Sequence, residues 1–152
     1  SGRRHGRRAR VGVRACRATC QTGHPVPKGP PVADEPMLFP CSHGEEDPER
    51  ATIPFIAASV AAVSGQQAVV VCTIDAVWLG TPGVADRVES EGQPALGDLV
   101  RQLVAAGGEI WLCSACTTRR GITGDDTIEG ATIVGAARIV EALASGRAIT
   151  LA

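Results

Sequence analysis

Two thiols at the C-x-x-C spacing, Cys113 and Cys116, stand in the stretch EIWLCSACTTRRGI, residues 109–122. A cysteine reacts as its thiolate, so what matters is whatever favours ionisation around each sulfur. The apolar run Ile110-Trp111-Leu112 has the character of a strand buried on both faces. Cys113 then falls at its carboxyl end, where open parallel α/β sheets place their ligands and chemistry. A helix beginning at Ser114 or a neighbour would bring free N–H groups and the helix dipole to the thiols, and both favour a thiolate. Arg119 and Arg120 add positive charge one turn on, as a field acting on sulfur or as surface arginines at a subunit contact.

The spacing alone admits four chemistries: a redox dithiol, half of a zinc site, a persulfide carrier with a helper thiol, or two unrelated packed cysteines. Zinc needs four ligands, and no second close pair of Cys or His follows the first thirty-six residues. Cys41, His43 and Cys72 would have to gather at one sheet edge to complete such a site. A thioredoxin-like dithiol usually follows the first strand of its fold and opens a long helix, whereas this pair lies late in the chain. Cys41 and His43 end the first predicted strand, on the same edge of the sheet as Cys113. A histidine there can serve as general base or proton donor, or sit idle in its loop. Asp75 closes the second predicted strand at that edge. Asp47, Asp125 and Asp126 read as caps.

The elements that position these residues follow from pattern. Met37–Cys41 predicts a first strand, with Pro40 confining it to an edge or a strand end. Asp47-Pro48 is a strong helix start, with a carboxylate at the N-cap and proline at N1. That helix runs to about Ser64, with Ile53, Ile56, Val60 and Val63 at helical spacing on one face, and Pro54 predicts a kink or a late start. Ala68 to Ile74 predicts a fully buried strand. Val84–Val88 predicts a short helix. Pro94 to Ala106 predicts an amphipathic helix burying Leu96, Leu99, Val100, Leu103 and Val104, stopped by Gly107-Gly108. After the Cys113 strand, Ala131 to Ala144 predicts the last helix and Ala148 to Leu151 the last strand. The alternation implies βαβ units: a three-layer α/β domain with a mostly parallel sheet of four or five strands, spanning 37–152.

Residues 1–36 are different in kind. They carry seven Arg and one Lys against Asp34 and Glu35, while the rest of the chain sets seven Arg against fourteen acids. This basic segment has few apolar residues to bury, and it predicts a disordered arm or a non-native extension ahead of Met37. Arginines can neutralise phosphates, so a nucleic-acid arm is a rival reading, and the Arg content with no acid before Asp34 also fits a transit peptide. Cys16, Cys20 and His24 match no common zinc pattern. Aromatic residues are scarce, two Trp and two Phe without Tyr, so the core must be aliphatic. No secretory pattern and no apolar stretch of roughly 20 residues is found, and the cysteines lie in or beside apolar runs. The expectation is a cytoplasmic setting, with no membrane association and reduced thiols.

From Met37 onward the chain resembles the DsrE/DsrF-like family of small sulfur-relay proteins, which includes YchN-like and TusD-like members. The resemblance lies in CSHGEEDPERATIPF (41–55), in the Gly-Gly-Glu-Ile run into Cys113, in the C-x5-R-R-G frame from Cys113 to Gly121, and in DDTIEGATIVGAA (125–137). It implies a flavodoxin-like α/β sandwich, assembly as a homo-oligomer such as a trimer or hexamer, and donor and acceptor proteins as partners. It also implies that Cys113, at the position of the persulfide-carrying cysteine of TusD-like proteins, carries sulfane sulfur. Cys116 departs from the TusD-like frame, which has alanine there; it can resolve a persulfide or simply pack. Cys41, His43, Arg119 and Arg120 are the expected supporting residues. The competing readings are a non-catalytic oligomeric scaffold and a CxxC thiol-disulfide oxidoreductase. No cofactor is expected: neither G-x-x-x-x-G-K-[ST] nor a G-x-G-x-x-G after a strand is present, and fold analogy alone does not import a flavin.

Overall fold

A computed structural model describes residues 35–151. The basic stretch 1–34, with Cys16, Cys20 and His24, lies outside the described residues. Strand β1 (Met37–Cys41) leads into helix α1 (Pro48–Val63), then β2 (Ala68–Cys72). A 3-10 segment, Ile74–Gly80, and a second at Ala85–Arg87 precede helix α2 (Leu96–Ala105) and strand β3 (Glu109–Cys113). Helix α3 (Ser114–Arg120), strand β4 (Ala131–Val134), helix α4 (Ala136–Ser145) and strand β5 (Arg147–Ala148) complete the order. The five strands form one sheet in the order β4-β3-β2-β1-β5, with every pairing parallel. The expected α/β sandwich with a parallel sheet is therefore the fold observed.

Side-chain alternation sorts the sheet into two faces. Phe39, Cys41, Val70, Cys72, Ile110 and Leu112 point to the side covered by α1 and α2. Leu38, Val69, Val71 and Trp111 point to the other side, where Ala142 and Ile139 of α4 cover them. Phe39 and Phe55 are the largest fully buried side chains, and burying each contributes about 1.5–3 kcal/mol. With so few aromatics, they anchor the aliphatic remainder.

Helix α1 starts as its caps dictate: the Asp47 carboxylate accepts the Arg50 N–H at 3.2 Å and Pro48 takes N1. The helix runs through Pro54 as a single element. Its buried face is not the branched one. Ala51, Phe55, Ala58 and Ala62 pack inward, Ile53 and Ile56 are half-buried, and Val60 and Val63 are exposed. Small residues allow the helix to approach β1, β2 and α2 closely, close enough for the Ser59 hydroxyl to donate to the Leu99 carbonyl at 3.1 Å.

A second correction concerns the chain's end. Residues 131–144 are not one helix: Ala131–Val134 pairs with β3 as strand β4, and α4 begins only after Gly135, whose backbone is extended. Ile133 and Val134 fit the helical spacing of the residues that follow, so periodicity joined two elements across one glycine. The final strand is likewise shorter and earlier than Ala148–Leu151, and β5 meets β1 only at Met37 and Leu38.

Candidate functional site

Cys113 is the last residue of β3 and the N-cap of α3, and Cys116 is at N3. The two therefore sit on neighbouring positions of the first helical turn. Both are reduced and half-buried. The Cys113 side chain makes no capping hydrogen bond. Burial pushes its pKa up, but the backbone N–H of Cys116, the Cys116 thiol and the Ala115 N–H outweigh this and bring it below 9.0. That is the behaviour of a thiol at a helix start. Gly121, in the left-handed conformation (φ 70°), stops α3 after seven residues.

The Cys116 sulfur accepts a hydrogen bond at 3.2 Å from the backbone N–H of Ile74, in the segment that follows β2. Ile74 has φ 51°, and it is the one residue other than glycine with positive φ among the described residues. A β-branched side chain is strained in that region. The next residue, Asp75, binds the same helix: its Oδ1 lies 2.6 Å from Nη2 and 3.2 Å from Nε of Arg120. Nη1 of Arg120 in turn donates to the Cys116 carbonyl at 3.3 Å. Arg120 is thus engaged by Asp75, Arg119 is exposed, and the lowering of the Cys113 pKa comes from neither guanidinium.

Cys41 does not share a face of the sheet with Cys113, although Cys116 packs against the core cluster that holds Cys41 and Cys72. Cys41 pairs in register with Cys72 of β2, which lies between it and β3, and its side chain points to the α1 face. Alternation puts Cys113 with Trp111, toward the α4 face. Two strand spacings, roughly 9–10 Å, separate β1 from β3. Cys41 and Cys72 are also chemically quiet: burial pushes the Cys41 thiol up to about 12 and the Cys72 thiol well above 9.0. His43 faces the Glu46 carboxylate at 3.3 Å, and Glu46 also accepts the Gly44 N–H, closing the loop after β1. Among the described residues no group of three or more His, Cys, Asp or Glu is arranged to hold a metal ion.

Beside α3 lies an open depression of about 350 Å3, lined by Trp78, Pro82, Arg120, Ile122, Asp125 and Asp126. Two hollows of about 410 Å3 open elsewhere, one by the amino ends of β2 and β3 against α4 and one between α2 and the 81–86 segment, and none of the three is lined by a cysteine. Ile74, expected as the end of a fully buried strand, instead lies exposed beyond β2, which stops at Cys72, and nothing in an isoleucine signals a left-handed backbone. Asp75 was placed at the right edge without its partner.

A parallel α/β domain with an ionisable thiol at a strand-to-helix junction describes a class. Residues 36–151 match the DsrE/DsrF-like family, and the chain belongs to it. An uncharacterized protein of Methanocaldococcus jannaschii is 33% identical over 93 residues, which are 61% of this chain and 34% of that protein. The chain spans about a third of that curated relative. Among solved structures, the YchN protein of E. coli superposes with a TM-score of 0.64 at 19% identity, over 78% of this chain and all of that one. A protein of unknown function from Methanobacterium thermoautotrophicum gives 0.57 at 22% identity with the same coverage. At these identities the two structures speak for the fold. No helix among the described residues is long and apolar enough to cross a membrane.

Proposed function

We propose that the protein is a sulfur carrier, with Cys113 accepting sulfane sulfur from a donor persulfide and delivering it to an acceptor thiol. The Cys113 thiolate attacks the outer sulfur of R–S–SH, a new S–S bond forms, and R–S⁻ leaves with the electron pair. An acceptor thiolate then attacks the outer sulfur of Cys113–S–SH and regenerates the Cys113 thiolate. Neither step changes the overall oxidation state. The observation that carries the reading is the contrast between thiols: Cys113 is half-buried with its pKa lowered, whereas Cys41 and Cys72 are buried with theirs raised. Family membership supports the same chemistry.

Incubation with a persulfide donor followed by mass spectrometry of peptides tests this. The Cys113 peptide is expected to gain about 32 Da, one sulfur, and Cys113→Ser to lose the adduct. Adducts spread equally over Cys41, Cys72 and Cys113 would overturn it.

A further inference from the structure

Carrying sulfur on Cys113 leaves Cys116 without a task, yet Cys116 is the more firmly held of the two. Two consecutive residues from outside α3 secure it. The Ile74 N–H reaches the Cys116 sulfur at 3.2 Å, and Asp75 holds Arg120, which returns a hydrogen bond to the Cys116 carbonyl. Cys116 and Arg120 lie four residues apart, on one side of the helix, so segment 74–75 grips that side at two points. A cysteine that merely fills space needs no such fixture, and here it is made by a residue with φ 51°. Cys113 at the N-cap and Cys116 at N3 share the first turn of one helix, which sets the Cys116 sulfur beside that of Cys113. The atom it faces is the inner sulfur of any persulfide built on Cys113; the outer sulfur extends beyond it.

We infer that Cys116 discharges a persulfide on Cys113 as hydrosulfide when no acceptor thiol takes it, an inference that rests on the carrier reading above. The Cys116 thiolate attacks the inner sulfur of Cys113–S–SH. The Cys113–Cys116 S–S bond forms, the bond to the outer sulfur breaks, and HS⁻ leaves with the electron pair and its own proton. The sulfane sulfur is reduced by two electrons, and the two cysteines together are oxidised by two. A dithiol reductant returns the pair to its starting state by thiol–disulfide exchange. Attack depends on which sulfur is presented and on how well the leaving group departs, and the fixed position of Cys116 settles the first of these. The branch limits how long a loaded chain holds reactive sulfur.

The test uses the full chain, reduced, freed of reductant, loaded with a small-molecule persulfide and freed of donor. Hydrosulfide release is followed with time, and peptides are mapped by mass spectrometry. The wild type is expected to release one equivalent of hydrosulfide per loaded chain without added reductant. It should also acquire a Cys113–Cys116 disulfide, lighter than the dithiol by about 2 Da. Cys116→Ser is expected to hold its Cys113 persulfide at least about tenfold longer, because a positioned intramolecular thiol has been replaced by an unreactive hydroxyl. If the wild type loads Cys113 but keeps its persulfide as long as Cys116→Ser, or moves the sulfur to Cys116 without releasing hydrosulfide, this inference falls and the carrier stands. Failure of both proteins to load Cys113 overturns the carrier reading and this one with it. The disulfide map of the wild type needs no variant, so a poorly folding Cys116→Ser leaves the inference open to refutation.

Discussion

Asp75 and Arg120 meet at 2.6 Å, joining the segment after β2 to the last turn of the helix that Cys113 opens. The contact ties together two pieces of chain forty-five residues apart. It also turns the guanidinium away from acting as a free cation beside the thiols. What remains to favour the Cys113 thiolate is the first turn of α3 itself.

The Asp75–Arg120 pair should be measurable as a coupling. Arg120 is only 15% exposed but Asp75 is 46% exposed, so solvent screens much of the attraction. A double-mutant cycle of Asp75→Ala and Arg120→Ala, followed by urea unfolding, is expected to give about 1 kcal/mol. A coupling indistinguishable from zero would show that the two side chains do not hold each other in solution.

Ile74→Gly is expected to stabilise the protein by about 1 kcal/mol, because glycine adopts φ 51° without the penalty that a branched residue bears. Ile74 is 53% exposed, so the loss of its buried part offsets some of that gain. The urea midpoint should rise with its slope unchanged. A fall in the midpoint would argue that Ile74 is not strained.

Gly44 lies under the same segment. A Cβ there would stand 2.9 Å from the Asp75 carbonyl oxygen, which is backbone and cannot swing aside. Gly44→Ala is therefore expected to cost about 1–3 kcal/mol and to displace Ile74 and Asp75 from α3. Iodoacetamide should then label Cys116 faster than in the wild type. Unchanged stability and labelling would contradict the tight contact.

The buried thiols set an alkaline limit. Cys41 keeps its proton to about pH 12 in the folded chain, and Cys72 keeps its own well above 9.0. The unfolded chain gives both up near 9.0, so above that pH the folded state binds more protons and stability falls as pH rises. For Cys41 the slope from about pH 9 to 12 is expected to approach 1.4 kcal/mol per pH unit, and Cys72 acts in the same direction. Cys41→Ala should remove one thiol's share of that slope, whatever it does to the baseline. Cys113 acts in the opposite sense: its contribution is present above 9.0 and is lost as pH falls through its lowered value. A flat stability profile above pH 9 would contradict the burial of Cys41 and Cys72.

Much of this architecture was legible in residue order. The cap at Asp47-Pro48, the β-branched run into Cys72 and the apolar run into Cys113 each specify their element by local chemistry. So did the position of the C-x-x-C pair at a strand end. Periodicity failed where two apolar segments abut across Gly135, because a four-residue strand offers too few residues to break a helical pattern. It also misjudged α1, where the alanines rather than the branched residues face inward, because backbone approach decided the packing. The grip of Ile74 and Asp75 on α3 was invisible. It depends on a backbone angle and on contacts across more than forty residues, neither of which leaves a local trace.

Pro40 shapes how the molecule meets others. The Met37 N–H and the Cys41 carbonyl turn toward β2, and the carbonyls of Pro36 and Leu38 turn toward β5, so alternation directs the backbone of Pro40 to the outer side. β5 has already ended by then, and proline has no N–H to offer there. A foreign β-segment seeking to lengthen the sheet along that flank finds its ladder broken after two rungs. Beyond Leu38, therefore, β1 offers an incoming strand no continuous ladder on that flank.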